Sequence, residues 1–152
     1  MQQLSRDEFY YLLSKHKVHR ICYHAAESGR LDVLQQARDL GCPWDASVCE
    51  IAAQNNHLNI IQWAFINGCP KGYMIEFAAS HGNLGILQWL KNNNFKSWDK
   101  TTCVNATVRG HLNVLQWAYD NNLMVVTDST CTKFAAQNGH IHILEWAHQK
   151  GF

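Results

Sequence analysis

Apolar residues recur along this chain at a helical spacing, and the spacing itself recurs. In GHLNVLQWA, counting from Gly110, apolar side chains stand two, four, five and eight places on, at Leu112, Val114, Leu115 and Ala118. At 100° per residue these fall within about 160° of one helix face, and Gln116 points away from it. NHLNIIQWA from Asn56, GNLGILQWL from Gly82 and GHIHILEWA from Gly139 repeat the pattern, and GRLDVLQQA from Gly29 gives a weaker copy. Ahead of each lies a short segment built around small residues, beginning at Ala25, Ala52, Ala78, Ala106 and Ala135. The pattern therefore predicts five helix pairs, each with a tight turn at Gly29, Asn56, Gly82, Gly110 or Gly139. Glycine, and asparagine after it, suit the left-handed backbone such a turn requires.

The first alanines recur every 26 to 29 residues, yet the distance from each to a closing Gly or Asn is always 16, ending at Gly41, Gly68, Asn94, Asn122 and Gly151. All length variation falls in the connections, as expected for rigid helix pairs joined by surface loops. Neither helix of a pair can bury its stripe alone, so neighbouring pairs must stack. The predicted division is an N-terminal capping helix over residues 1–20, then repeats at approximately 21–45, 46–71, 72–99, 100–128 and 129–152. SRDE at Ser5–Glu8 reads as a capping box ahead of the apolar Phe9, Leu12 and Leu13. The last repeat, closing in KGF, has no following cap. Its expected behaviour is the weakest protection in the chain, unless Phe152 folds back, and a monomer rather than a stacked dimer.

The run AA-x-x-G-H-L-x-[IV]-[LI]-Q-W-[AL] ending at glycine resembles the helix pair of the ankyrin repeat, over essentially residues 21–152. A standard ankyrin repeat has about 33 residues with Thr-Pro-Leu-His before the helices. Here SVCEIAA, YMIEFAA and TTCVNAT occupy that place. The resemblance implies an all-α, ankyrin-like helical repeat solenoid of five stacked helix pairs, with shortened loops in place of the family's β-hairpins. The compact form also resembles short ankyrin-like arrays of giant viruses of amoebae and of some protists. The F-box often attached to viral arrays has no counterpart pattern in the first twenty residues.

Composition narrows the function classes. The 152 residues are 47% hydrophobic and 16% charged with a formal net charge of +1, which argues for one folded unit and against a broad electrostatic surface for nucleic acid or an anionic membrane. No apolar run reaches the roughly 20 residues of a membrane span, and MQQLSRDEFYYLL lacks the plan of a signal peptide. The expected location is cytoplasmic, the host cytoplasm if the chain is viral. KHKVHR at Lys15–Arg20 is short and reads as a solvated basic patch.

Six cysteines and nine histidines raise the question of metal. Cys22, Cys49 and Cys103 share a column three residues before the first alanine, and Cys42 and Cys69 share one with Phe95, Leu123 and Phe152. Both columns read as small core hydrophobes. Equivalent residues of stacked pairs lie about 10 Å apart, too far for a disulfide or a shared metal. His57, His111 and His140 follow the turn residue in three repeats, a recurrence that suits a structural role better than a catalytic one. His140, His142 and His148 collect in the last repeat, where a solvated polar end is the reading. Asn105-Ala106-Thr107 matches a glycosylation triplet but lies within a predicted helix. No nucleophile elbow, phosphate loop, zinc-protease or dinucleotide motif is present. No catalytic residue, cofactor or metal ligand is assigned.

The function expected is non-enzymatic: a module that binds an unidentified partner protein through its concave face. The ankyrin resemblance places that surface on the connection tips and on the two variable residues after each alanine pair. Here those pairs are Glu27 and Ser28, Gln54 and Asn55, Ser80 and His81, Val108 and Arg109, and Gln137 and Asn138. Trp44 and Trp98, in the connections, join them as loop aromatics suited to binding. Trp63, Trp89, Trp117 and Trp146 sit about 60° outside the apolar stripe, so each indole is expected half-buried against the neighbouring second helix. The alternative is a structural or assembly repeat, or a fragment of a longer array, that self-associates through its C-terminal face.

Overall fold

The computed structural model describes residues 18–95, 98–123 and 129–152. The capping box at Ser5–Glu8 and most of the expected capping helix lie outside these residues. The small residues and helical spacings of the sequence form ten helices among the described residues. They are α1 (Val18–Glu27), α2 (Leu31–Asp39), α3 (Ala46–Gln54), α4 (Leu58–Ile66), α5 (Met74–Ser80), α6 (Leu84–Asn92), α7 (Lys100–Val108), α8 (Leu112–Asp120), α9 (Thr130–Gln137) and α10 (Ile141–Gln149). No strand occurs among the described residues. Helix α1 runs unbroken through Arg20, so the boundary expected after residue 20 falls inside the first helix of the first repeat.

The chain forms two compact units, Met1–Met74 and Ile75–Phe152, where composition pointed to one. In the first unit α1 packs on α2 and α3, and α3 on α4; in the second α7 packs on α8 and α9, and α9 on α10. The predicted stripe is the core. Leu34, Ile60, Ile61, Ile86, Leu87, Val114, Leu115 and Ile143 are buried, and the alanines Ala37, Ala64, Ala118 and Ala147 let the backbones approach. Where Thr107 replaces the second alanine, its hydroxyl donates to Cys103 O at 2.8 Å. The glycosylation triplet therefore sits inside α7 with its threonine buried.

Each of the ten described helices ends in the same way. The closing residue takes positive φ, from Gly29 at 74° and Asn56 at 62° to Gly41 at 81° and Asn122 at 54°. The next N–H then reaches back to a carbonyl five residues earlier, as in His57 to Ala52 and Cys69 to Ala64, both 2.9 Å. This is the Schellman motif, in which the residue after the left-handed one makes an apolar contact back onto the helix. It explains the column Cys42, Cys69, Phe95, Leu123 and Phe152, which holds that position after each second helix. Phe152 folds back, with its ring 5.7 Å from that of Tyr119 and 5.9 Å from that of Trp146. In the same repeat Ala136 is exposed and Leu144 half-buried, whereas their equivalents Thr107 and Leu115 are buried.

No helix among the described residues is long and apolar enough to cross a membrane.

Candidate interaction surface

The ten variable residues occupy one structural position. Glu27, Gln54, Ser80, Val108 and Gln137 are the last residues of α1, α3, α5, α7 and α9. Ser28, Asn55, His81, Arg109 and Asn138 follow them, just before the left-handed turn. All five of these followers are exposed, while Gln54, Ser80 and Val108 are half-buried and Glu27 and Gln137 exposed. Several are held by their own helix. The Asn55 and Asn138 amides donate to Ile51 O at 3.0 Å and Phe134 O at 2.8 Å, and the Ser28 hydroxyl donates to His24 O at 2.7 Å. Bonds to carbonyls four residues back fix these side chains and leave the amide oxygens outward.

The backbone beneath them is fixed by the histidine column. Nε2 of His57 bonds to Glu27 O at 3.2 Å, that of His111 to Ser80 O at 2.9 Å and that of His140 to Val108 O at 2.9 Å. Each ring also lies close against the turn glycine of the preceding repeat. A Cβ on Gly29 would come within 2.7 Å of His57, one on Gly82 within 2.6 Å of His111, and one on Gly110 within 2.8 Å of His140. The turn glycines are thus required twice, by their φ and by the ring beside them. The sequence carried a sign of this pairing: Asn56, which has a Cβ, is followed in the next repeat by Asn83 rather than histidine. His142 Nε2 likewise bonds to Gly110 O at 3.0 Å, and its ring lies 5.8 Å from that of His140.

Trp44 and Trp98 are in a different place. Each precedes an aspartate that caps a first helix: Asp45 accepts from Ser47 N at 2.9 Å ahead of α3, and Asp99 from Thr102 N at 3.0 Å ahead of α7. Gln54 and Val108 lie at the far ends of those same nine-residue helices, about 13 Å away along the axis. The expected binding residues therefore divide into two sets, five pairs at the C-terminal ends of first helices and two tryptophans at N-terminal ends. Both indoles are half-buried. Trp44 meets Trp63 edge-on at 5.5 Å, Trp98 meets Trp117 at 5.4 Å, and the Arg38 guanidinium lies over Trp44 at 4.3 Å.

Trp63, Trp89 and Trp117 are half-buried, as expected, and each also meets an aromatic of a connection, Trp44, Phe95 and Trp98 respectively. Trp146 does meet Tyr119 of α8, at 5.9 Å, and is only 7% exposed.

Beside Trp98 the second unit has a cavity of about 20 Å³ lined by Ile75, Leu87, Leu90, Lys91, Phe95, Trp98 and Leu123. The Trp98 Nε1–H is buried and has no hydrogen-bond partner among the described residues. No sequence signal distinguished Trp98 from Trp44 in this respect.

All six cysteines are buried thiols rather than disulfide halves. The separation of about 10 Å holds for residues of one column, but the two columns approach each other: the neighbouring Cys49 thiol, then burial, pushes the Cys69 value up, while Cys49 itself is lowered, and the Cys69 thiol donates to Asp45 O at 3.4 Å. Burial, reinforced by Cys42, pushes the Cys22 thiol up to about 11. The raised Cys22, Cys42 and Cys69 thiols stay protonated at neutral pH, the inert form of a core cysteine. Among the described residues no group of three or more His, Cys, Asp or Glu is placed to hold a metal.

Compared with protein-family profiles and with curated proteins, the sequence gives no match.

Proposed function

We propose that this chain is a non-enzymatic, ankyrin-like protein-interaction module, a solenoid of five helix pairs that binds a partner protein through the row of residues closing its first helices. The supporting observation is the contrast at those positions. Backbone geometry recurs from repeat to repeat, held by Schellman turns and histidine bonds, while the side chains run through Glu27, Gln54, Ser80, Val108 and Gln137 and their exposed followers. A fixed scaffold bearing varied, outward polar groups suits a hydrogen-bonded interface and offers nothing toward bond-breaking chemistry. The setting proposed is cytoplasmic.

Proximity labelling in the native cell tests this, comparing the wild-type chain with one carrying Glu27→Lys, His81→Glu and Arg109→Glu. These three side chains are exposed, so helicity and melting should stay unchanged while the labelled neighbours are lost. An unaltered neighbour set would refute the surface assignment. Self-association through the last repeat is the second reading, drawing on Ile141 at 65% and Phe152 at 41% exposed. Light scattering over a concentration series decides it, since the interaction reading expects one mass throughout.

A further inference from the structure

One joint of the chain is half made. We propose that the turn at Gly139 is a docking socket for a histidine ring of another protein, one that opens the second helix of a helix pair as His140 does here. The chemistry of the occupant is given by three filled sockets in the molecule itself. His57 covers Gly29, His111 covers Gly82 and His140 covers Gly110, with ring atoms 2.7, 2.6 and 2.8 Å from where a Cβ would stand. Each ring puts Nε2 on the carbonyl two residues before that glycine: Glu27 at 3.2 Å, Ser80 at 2.9 Å and Val108 at 2.9 Å. A carbonyl only accepts, so each ring donates its Nε2–H. Gly139 repeats the receiving half, with φ of 72°, the value at Gly82, and with Gln137, the last residue of α9, in the carbonyl's place. Among the described residues nothing lies within 4 Å of a Cβ built on Gly139, and no ring bonds to the Gln137 carbonyl.

Exposure follows occupancy. Gly29, Gly82 and Gly110 are half-buried and Gly139 is exposed. The surroundings change in step: Ala136 is exposed where Thr107 is buried, and Ile141 is 65% exposed where Leu112 is half-buried. In the fourth repeat α9 packs on α7, and the Thr107 hydroxyl donates to Cys131 Sγ of α9 at 3.2 Å. The face around Gly139 is therefore the continuation of an interface the chain already makes, and a helix pair of the same pattern is what covers it. A second copy of this chain does not supply the ring. After its first turn it has Arg30, whose guanidinium is paired with Asp32 at 2.9 and 3.0 Å, and its His57, His111 and His140 are already seated. The occupant is a different protein, whose histidine has no glycine of its own to cover. The socket uses the backbone of Gln137 and stands independently of the side-chain row proposed above.

The chain also provides the variant for the test. Asn56 holds φ of 62° in the same turn, and the repeat after it has Asn83 where the others have histidine. Gly139→Asn therefore keeps the turn and adds a Cβ that meets open space in the chain alone. Its melting temperature should equal that of the wild type, whereas Gly110→Asn, which meets His140, should melt lower. Equal losses in the two variants would show the Gly139 socket already filled from within and overturn the proposal. The partner is read by photo-crosslinking in the native cell, from full chains carrying a benzophenone side chain in place of Ile141 or, separately, Asn138. The expected product joins a different protein, at a segment beside a histidine that opens the second helix of a helix pair. Gly139→Asn should cut its yield about tenfold, the loss of one ring contact with its hydrogen bond. A crosslink to a second copy of this chain, to a segment without such a histidine, or from neither position would overturn the proposal, as would a yield that Gly139→Asn leaves unchanged. The labelling experiment on Glu27, His81 and Arg109 changes other residues, so either result can fail while the other stands.

Discussion

The two Trp-Asp connections, at Trp44–Asp45 in the first unit and Trp98–Asp99 in the second, bring the same two residues to the same place and use one of them differently. Both aspartates cap the following helix, and both indoles meet the repeat tryptophan of that helix pair edge-on. Beyond that they part. Trp44 lies beneath the Arg38 guanidinium, whereas Trp98 borders a cavity and has a buried donor without a partner among the described residues. A cap is decided within a few residues of backbone, so a recurring dipeptide repeats it faithfully. An indole reaches far enough that its surroundings come from elsewhere, and the same dipeptide cannot specify them.

The largest expected effect concerns where the two units should agree. Ile61 and Leu115 hold the same place in the stripe and both are fully buried, so each replaced by Ala should cost about 2–5 kcal/mol in denaturant melts. Gln116→Ala should change stability by less than about 0.5 kcal/mol. Comparable losses at Leu115 and Gln116 would break the helix phase, and with it the equivalence of the units.

A smaller effect should separate the tryptophans. Trp44→Ala forfeits the Arg38 contact, worth about 0.5–2 kcal/mol, along with its packing. Trp98→Ala enlarges a void that already exists and removes a donor that lacks an acceptor among the described residues. Trp44→Ala should therefore be the more destabilising by about 1 kcal/mol. Equal losses would mean that the two rings have equivalent surroundings after all.

The smallest effect is at the caps, where Asp45→Ala and Asp99→Ala should each cost about 1 kcal/mol. Asp45 adds a pH dependence. The Ser47 hydroxyl, then its backbone N–H, holds the Asp45 carboxyl below its ordinary value. A depressed folded value means that the unfolded chain binds the proton more tightly. The cap's contribution is then complete above the unfolded value of about 3.9 and fades as pH falls through the lower folded one. Acid melts of wild type and Asp45→Ala should converge below that range; a gap that stays constant with pH would show the cap to be independent of charge.

Much of this was legible in the sequence. The turn at Asn56 in place of glycine, the alternation of variable and fixed residues and the buried cysteines follow from spacing, because each depends on contacts within one helix pair. What escaped depends on contacts between pairs. The partner of His57 is the carbonyl of Glu27, thirty residues away, and the approach of Cys49 and Cys69 brings together two columns that spacing kept apart. The likeness of Trp44 and Trp98 hid their difference for the same reason. The residues that set it, Arg38 in one case and Ile75, Leu87 and Leu123 in the other, lie outside the shared dipeptide.

The joint between histidine and glycine has a consequence for how such a chain can change length. Each joint is made of two halves in successive repeats, a turn with its bare glycine and upstream carbonyl in one, a ring in the next. A duplication or deletion that begins and ends at the same place in the cycle hands a ring a fitting glycine wherever the upstream turn is a glycine, and leaves it facing a Cβ only where that turn is Asn56. One that is out of step leaves a ring facing a Cβ, or a glycine with nothing against it. The chain can therefore be lengthened or shortened by recombination in whole periods, and the joints themselves act as the proofreading for where the cuts fall.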